Sequence, residues 1–406
     1  MDRIYLDNAA TTPVRREVLD AMVPFLTEKF GNPSSIHSFG REVRNDVELA
    51  RERVARAIGA QPEEIVFTSG GSEADNLAIK GLALSVMGKK NHVITSAVEH
   101  HAVLDTVKSL EGLGFDVTIL PVDADGMVNP EDVKKAITRQ TFLVSIMHSN
   151  NEVGTLQPIE EIARITREAG VAFHTDAVQS VGHVPIDVRT LGVDMLSMSG
   201  HKFYAPKGIG ALWIRHGIRP VPLIHGGGQE RKRRAGTENV AGMVGMGVAI
   251  ELAVAELEET MARETDLRDR LIAGIEDRIP DVRLNGSRTR RLPNNVNVSV
   301  LYVEGESLLL NLDMAGIGAS SGSACTSGSL EPSHVLMAMG LPHEVAHGSV
   351  RLTLGRDTSE EDIARVLDVL PGIVERLRRM SPIYHKTECT IKEVCANACD
   401  CALATD

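Results

Sequence analysis

The chain has 406 residues, of which 43% are hydrophobic and 24% charged, and its net charge is −12. This length allows two domains with substantial cores. The acidic balance and the 3% aromatic content argue against nucleic-acid binding. We expect no membrane span, because no run of about 18 apolar residues occurs, and no signal peptide. Only Cys325 among the cysteines precedes residue 389, which fits a reducing cytoplasm better than a secreted disulfide framework.

Strand and helix patterns alternate along the first 214 residues. In chain order they predict a short strand near 5–7, helices over 15–28 and 41–58, a strand over 64–68 with a helix to 87, a strand over 92–98 with a helix to 113, a strand over 117–122, a helix over 129–137, a strand over 142–147, a helix over 159–169, and strands ending near 176, 198 and 214. Such alternation predicts an α/β fold with a largely parallel sheet covered by helices on both faces.

Several polar residues come directly after these predicted strands. They are Ser72, His100, Asn151, Asp176, Gln179 and Lys202. Because ligands bind at the carboxyl ends of strands in open α/β sheets, we expect these residues to share one edge.

Lys202 and Asp176 suggest the chemistry of that edge. A lysine at a strand end can form a Schiff base with a carbonyl, most commonly that of pyridoxal phosphate, although a lone lysine there is more often a surface residue. A carboxylate such as Asp176 could keep the pyridinium nitrogen of that cofactor protonated. The turn around Gly70–Gly71–Ser72 has the form of a phosphate cradle, but such turns are also routine between strands and helices.

The second half of the chain predicts a smaller α+β domain. The basic segment 225–237 is expected to be a mobile loop that is either solvated or contacts an anion. A long helix over 238–261 would bridge the domains, followed by a helix over 263–276, a strand over 293–303, a helix over 307–315, a strand over 350–354 and a helix over 360–378. Arg351 in the last strand could hold a carboxylate or face water.

Two cysteine-containing segments remain. Cys325 lies in the small-residue segment 320–329, where an exposed thiol would be either a nucleophile or an accident of sequence. The tail holds four cysteines, namely Cys389, Cys395, Cys399 and Cys401. These thiols suggest zinc, an iron–sulfur cluster or persulfide exchange, although their spacing matches no standard ligand pattern and a disordered tail fits nearly as well.

The motifs Y-L-D-N-A-A-T-T-P, T-S-G-G-S-E-A-D-N, E-H-H-A-V-L, N-N-E-V-G, D-A-V-Q-S, S-G-H-K, G-G-G-Q-E and S-S-G-S-A-C-T-S occur in this order. Because it carries these motifs, the chain resembles the long-loop class of cysteine desulfurases of NifS/IscS type. The resemblance covers about residues 4–385. The resemblance implies pyridoxal-phosphate fold type I with a mainly parallel seven-stranded sheet. It implies a large domain over 15–257, a small domain formed by 1–14 and 258–386, and a cysteine-rich tail over 387–406.

The resemblance also implies roles for single residues. Lys202 would bind the cofactor covalently, Asp176 its ring nitrogen and Gln179 its phenolic oxygen, while His100 would stack on the ring and shuttle protons. Gly71, Ser72, Ser199 and His201 would bind the phosphate, and Thr237 would reach the phosphate of a neighbouring subunit in a homodimer. Asn151 and Arg351 would hold the substrate carboxylate, with Asn151 also near the cofactor.

The implied reaction converts L-cysteine to L-alanine and leaves a persulfide on Cys325. An iron–sulfur scaffold protein is the implied acceptor, and Cys325 could briefly share a nascent cluster with it. Two other readings stay open from the residues. Another fold-type-I enzyme, such as an aminotransferase or β-lyase, would use Lys202 and Asp176 without Cys325. A non-enzymatic metal carrier would use only the tail cysteines.

Overall fold

The computed structural model describes residues 3–321, 332–381 and 384. Cys325 and the four tail cysteines lie outside the described residues. The helices are α1 Arg16–Met22, α2 Pro24–Thr27, α3 Ser38–Ala57, α4 Gly71–Val86, α5 His101–Glu111, α6 Pro130–Ala136, α7 Ile159–Ala169, α8 Val188–Leu191, α9 Gln229–Lys232, α10 Val240–Ala255, α11 Leu257–Arg278, α12 Gly305–Met314, α13 His334–Ala338, α14 His343–His347 and α15 Glu360–Met380. The strands are β1 Ile4–Tyr5, β2 Ile65–Thr68, β3 His92–Ser96, β4 Asp116–Leu120, β5 Thr141–Ser145, β6 Ala172–Asp176, β7 Met195–Ser199, β8 Gly210–Ile214, β9 Val282–Leu284, β10 Asn295–Val300, β11 Ile317–Gly318 and β12 Ser349–Thr353.

A seven-stranded sheet with the order β2-β8-β7-β6-β5-β3-β4 organises the first part of the chain. Strands β3 to β7 pair in parallel, and β8 runs antiparallel to both β2 and β7. The predicted α/β class and the mainly parallel sheet are therefore confirmed. Every residue of β3, β5, β7 and β8 is buried, because helices cover both faces of a sheet of this kind.

Local signals at two helices act as the sequence predicts. The side chain of Asn129 accepts a hydrogen bond from the backbone N–H of Glu131 (3.0 Å) and caps α6, whose first residue is Pro130. Gly170 ends α7 in the left-handed conformation, with φ of 64°. These helix ends fix where the chain enters and leaves the sheet.

A second group of elements consists of the N-terminal strand β1 and the elements from residue 257 onward. Strands β12, β10 and β9 form an antiparallel sheet, and β1 pairs in parallel with β11. Apolar side chains of α11, α12 and α15 pack with this sheet and with Ile4 and Leu6 in one core. The proposed boundaries at residues 15, 257 and 386 stay a prediction.

The prediction of one long helix over 238–261 is wrong. The chain breaks at Glu256, so that α10 and α11 meet at an angle of 70°, and α11 runs without interruption through the break expected near residue 262. Arg15 donates two hydrogen bonds to the Glu256 carboxylate, at 2.7 and 2.9 Å. A contact between residues so far apart in sequence leaves no periodic signal.

In the described part of the chain, no single helix is both long and apolar enough to cross a membrane. The bent pair α10 and α11 passes this test only when both helices are taken together, by length and composition alone.

The segment 225–237, predicted to be a mobile loop that is solvated or contacts an anion, is attached to the rest of the fold through Glu230 and Arg233. Helix α9 lies within it, and the buried carboxylate of Glu230 accepts two hydrogen bonds from Arg51 (2.7 and 2.9 Å) and one from the Phe67 N–H (2.9 Å). Arg233 donates to the carbonyl oxygen of Glu63 at 2.7 Å. These bonds attach the segment to β2.

Candidate active site

The turn between β2 and α4 forms one wall of a cavity of about 430 Å³. The first residue of α4 is Gly71, so the first backbone N–H groups of the helix have no partner within it. A Cβ at Gly71 would lie 2.8 Å from Cγ2 of Val178, and one at Gly210 would lie 2.7 Å from the Gly70 backbone. Glycine therefore avoids a clash with the Val178 side chain at position 71 and with the Gly70 backbone at position 210. Ser72, Ser199 and His201 line the same cavity, as the sequence predicts for an anion site.

Lys202 follows β7 in a short 3₁₀ turn, Gly200–Lys202. Its Nζ donates to the carbonyl oxygen of Ala9 and, at 2.9 Å, to that of Ala10. Gln179 donates to the same Ala9 oxygen at 3.0 Å. The N-terminal segment therefore lies beside the lysine. Reasoning from single residues missed Ala9 and Ala10, and the D-N-A-A motif was their one signal in the sequence.

Asp176 is the last residue of β6 and is buried. Burial raises the pKa of its carboxyl to about 6, against the opposing effects of the Val178 N–H bond and the charge of Lys202. The Val178 N–H donates to Asp176 Oδ1 at 2.9 Å. Asp75 on α4 is buried nearby, and its pKa is raised by burial and then by the charge of Asp176. Two carboxyls in such surroundings favour a cationic partner.

Two histidines at the site are neutral near pH 7. Burial, followed by the charge of Lys202, lowers the pKa of His100 to about 4, and the same two causes lower that of His201 to about 4. His100 caps α5 by accepting the Ala102 N–H at Nδ1 (3.1 Å), so the proton of its neutral ring belongs on Nε2. His201 Nδ1 lies 3.1 Å from the hydroxyl of Thr11.

Arg351 and Asn151 lie together, as predicted for a carboxylate site. Arg351 is buried rather than facing water; it pairs with Asp7 at 2.9 Å and donates to the Asn151 carbonyl oxygen at 2.8 Å. Among the described residues, Arg351 Nε and Asn151 Oδ1 are buried atoms that lack a hydrogen-bond partner. Each of these atoms is therefore positioned to take a further polar ligand.

The described residues on either side of 322–331 both attach to this region. The Ser320 N–H donates to the Arg351 carbonyl oxygen at 3.2 Å. Ser333 donates to the buried carboxylate of Glu152, and the His334 ring lies 2.9 Å from the Glu99 carbonyl oxygen. These anchors were not predicted from the sequence, because the roles predicted for the motifs that contain Glu152 and Glu99 concern other residues.

Thr237 differs from the other candidates, because it is exposed and does not line the cavity. Nearby, the Asn239 side chain donates to the carbonyl oxygen of Gly208 at 3.4 Å. Cys325 and the tail cysteines lie outside the described residues. Among the residues that the structure does describe, no group of three or more His, Cys, Asp or Glu could hold a metal ion.

The profile of the aminotransferase class-V family matches residues 4–366. The chain belongs to the aminotransferase class-V family. It is 60% identical to "Cysteine desulfurase IscS" of Dictyoglomus turgidum, over 93% of this chain and 96% of that protein. It is 59% identical to the protein of the same name from Methanosarcina thermophila, over 94% of this chain and 95% of that protein. A solved structure described as "NIFS-LIKE PROTEIN" superposes with a TM-score of 0.87 at 41% identity, covering 92% of this chain and all of that one.

These likenesses agree with the predicted NifS/IscS type within the aminotransferase class-V family. The family match ends at residue 366, and the two relatives cover 93% and 94% of the chain. The roles of single residues depend on the geometry, which brings Gly71, Ser72, Ser199 and His201 to one cavity and Lys202 and Gln179 to one carbonyl oxygen.

Proposed function

We propose that the protein is a pyridoxal-phosphate-dependent cysteine desulfurase that converts L-cysteine to L-alanine and passes the sulfur to Cys325. The observation that carries this proposal is the arrangement at one sheet edge, where the buried Asp176 ends β6, Lys202 follows the neighbouring β7, and the start of α4 borders a cavity. The high identity to proteins named cysteine desulfurase supports it.

The residues present fit pyridoxal phosphate. The start of α4 offers free N–H groups to a phosphate, and glycine at position 71 leaves space where a Cβ would clash. Lys202 offers an amine, and the unpartnered Asn151 Oδ1 accepts a further hydrogen bond. Asp176 and Asn151 would hold the ring, and Ser72, Ser199 and His201 would hold the phosphate. When bound, the cofactor supplies an aldehyde for the substrate amine and a sink for the electron pair released at Cα.

Lys202 is the group we assign to proton transfer at Cα. Its Nζ is held by the Ala9 and Ala10 carbonyl oxygens, which fix the direction of the amine. Once the amine is free, its lone pair can take the Cα proton of L-cysteine. The neighbouring His183 ring lies 3.0 Å from the Lys202 carbonyl oxygen and steadies the backbone of the turn.

Asp176 and His100 set the electrostatics. Asp176 faces a low-dielectric interior, where a carboxylate gains most by pairing with a cationic ring nitrogen. His100 is uncharged near pH 7, so it can stack on an aromatic ring and donate one proton from Nε2. A neutral imidazole beside Lys202 also avoids repelling the protonated lysine.

Cys325 is the proposed sulfur acceptor. Its thiolate attacks the substrate sulfur, so that a sulfur–sulfur bond forms as the carbon–sulfur bond of the substrate breaks; the electron pair of that bond stays with the carbon side, which takes up protons before alanine leaves. Cys325 lies five positions after Ser320 and eight before Ser333, and both residues attach beside the site.

Arg351 binds the substrate carboxylate in this proposal. Its Nε is buried without a partner among the described residues, while its Nη2 is paired with Asp7. A substrate carboxylate could take the free Nε and compete with Asp7 for Nη2. Asn151, whose carbonyl oxygen accepts from Arg351, fixes the guanidinium plane.

A homodimer is part of the proposal. Ile36 is 91% exposed and Phe30 70%, and the Phe30 ring stacks on Phe39 with centroids 6.0 Å apart. Exposed apolar groups of this size mark an interaction surface. Thr237, exposed in its own chain, would then reach a phosphate bound by the partner copy.

The sulfur would pass from Cys325 to an iron–sulfur scaffold protein, with a nascent cluster briefly shared. This acceptor, a cytoplasmic location, and zinc or a cluster at Cys389, Cys395, Cys399 and Cys401 remain predictions.

The test is turnover of L-cysteine with a thiol reductant, measured for wild type and Cys325→Ala. We expect equimolar alanine and sulfide from wild type and neither from Cys325→Ala, because the sulfur then has no acceptor. Cys401→Ala removes a thiol in the tail instead and serves as the matched control, with activity retained. Undiminished turnover in Cys325→Ala would favour a β-lyase that needs no protein thiol.

A further inference from the structure

An ion pair joins the phosphate-binding turn to the basic segment 225–237. Arg234 donates to Glu73 through Nε (2.9 Å) and Nη2 (3.2 Å), so that each carboxylate oxygen receives one bond. Glu73 is in the first turn of α4 and lines the cavity. The two side chains are mostly buried, with exposures of 23% for Arg234 and 17% for Glu73.

Glu73 also holds the turn itself. Its Oε2 accepts the backbone N–H of Ser69 at 2.8 Å, which closes the loop that leads into α4. The pKa of Glu73 is lowered, because the bonds from Arg234 and Ser69 outweigh the opposing effect of burial. The residue is therefore a carboxylate at neutral pH, on the wall of a site that has to accept a phosphate.

A lone carboxylate at this place would oppose phosphate binding. Two like charges a few ångströms apart cost about 1 kcal/mol in water and several times more in a partly buried site. Arg234 cancels that charge and fixes the carboxylate orientation through two parallel bonds. A lysine could cancel the charge but could not hold both oxygens.

Arg234 is held in turn by its own segment. Glu230, Arg231 and Lys232 all have positive φ values, 45°, 56° and 65°, a conformation that non-glycine residues rarely adopt. The buried pair of Glu230 with Arg51 secures this strained turn against α3, and the bond from the Phe67 N–H to Glu230 secures it against β2. The same segment ends at Thr237, so one short stretch of chain connects the turn at Ser69 with a residue proposed to serve the partner copy.

We propose that Arg234 is a positioning residue for the cofactor phosphate, acting through Glu73 to hold the Ser69–Ser72 turn and to cancel its adjacent negative charge. This inference rests on the proposed use of pyridoxal phosphate. The part of the cofactor concerned is its phosphate group. Pyridoxal has the aldehyde but no phosphate, so comparing the two ligands separates an effect on phosphate binding from an effect on the rest of the site.

The experiment measures dissociation constants of pyridoxal phosphate and of pyridoxal for the apo form of the full chain, by visible absorbance and calorimetry. We expect Arg234→Ala to bind pyridoxal phosphate roughly tenfold or more weakly, because it leaves Glu73 unpaired, and to bind pyridoxal as wild type does. Arg219→Ala removes the same charge at an exposed position outside the segment, and should bind both ligands normally.

Two further variants separate charge from shape. Adding Glu73→Gln to Arg234→Ala should restore part of the lost affinity, because the repelling charge is gone. Arg234→Lys should lie between wild type and Arg234→Ala. Arg234→Lys also keeps the test decisive if Arg234→Ala folds poorly, because it retains the positive charge and most of the side-chain length.

Three results would overturn the inference. They are unchanged phosphate-ligand affinity in Arg234→Ala, an equal loss for pyridoxal, and no recovery in the double variant. Failure of the wild-type apo chain to bind pyridoxal phosphate at all would instead refute the proposed function, so the two failures are distinct.

Discussion

Glu264 on α11 is a buried acid outside the active site, and it should make stability depend on pH. It is 1% exposed, and both its oxygens lack a hydrogen-bond partner among the described residues. Arg263, its ion-pair partner at 3.8 Å, donates to the carbonyl oxygens of Thr358 and Gly355 instead. Burial raises the pKa of Glu264 from 4.5 to about 8, with a smaller opposing effect of Arg263.

The sign of the effect follows from proton binding. Between pH 4.5 and 8, Glu264 keeps its proton in the folded chain and releases it in the unfolded chain. The free energy of unfolding therefore falls as the pH rises through this range. At about 1.4 kcal/mol per pH unit, levelling off near the folded pKa, wild type loses about 2 kcal/mol from this group between pH 6 and pH 8. Glu264→Gln keeps the shape and cannot ionise, so its stability should not show this loss.

The assay is the free energy of unfolding at pH 6 and pH 8, at one protein concentration. Relative to wild type, Glu264→Gln should gain about 2 kcal/mol between the two pH values. Glu259→Gln, at an exposed position of the same helix, is the control and should follow wild type. If wild type and Glu264→Gln lose stability in parallel, Glu264 is already ionised in the fold and the reasoning is refuted.

Two predictions concern the site. Asp176→Asn removes the buried charge with little change of shape, and kcat for alanine formation should fall by about 100-fold or more; a loss below about threefold would show that no charge is needed there. Gly71→Ala places a Cβ at 2.8 Å from Cγ2 of Val178, so pyridoxal phosphate should bind about tenfold more weakly in a titration of the apo form. Val178→Ala in the same chain should restore binding, and no recovery would contradict the steric explanation.

The sheet and its functional edge could be predicted because their signals are local. Each buried strand is a short apolar run, and each polar residue that matters follows a run directly, as Lys202 follows β7. The carboxyl ends of parallel strands meet in space whatever the loops do. The predicted shared edge of Asp176 and Lys202 therefore needs only their positions after strands, and in the fold those strands are the neighbours β6 and β7, with Asp176 paired to Ser197 in the register.

The errors arise where distant side chains decide the structure. At the break between α10 and α11, Glu256 pairs with Arg15, 241 positions away, and helical periodicity carries no trace of that contact. For Arg351 the sequence leaves two alternatives open, holding a carboxylate or facing water, and in the fold it is buried and pairs with the Asp7 carboxylate from the other end of the chain. A single sequence gives the charge of a side chain and not the charge that lies beside it.

The basic segment 225–237 shows why this distinction matters for function. By composition it is a solvated charge run, yet Arg234 contacts Glu73 across 161 positions and Arg51 contacts Glu230 across 179. A buried ion pair contributes little net stability, since desolvation offsets most of the attraction, but it excludes other arrangements of the chain. What these two pairs provide is therefore position. They set the turn at Ser69 and the start of α4 in one geometry, and the anion site depends on that geometry more than on the number of positive charges nearby.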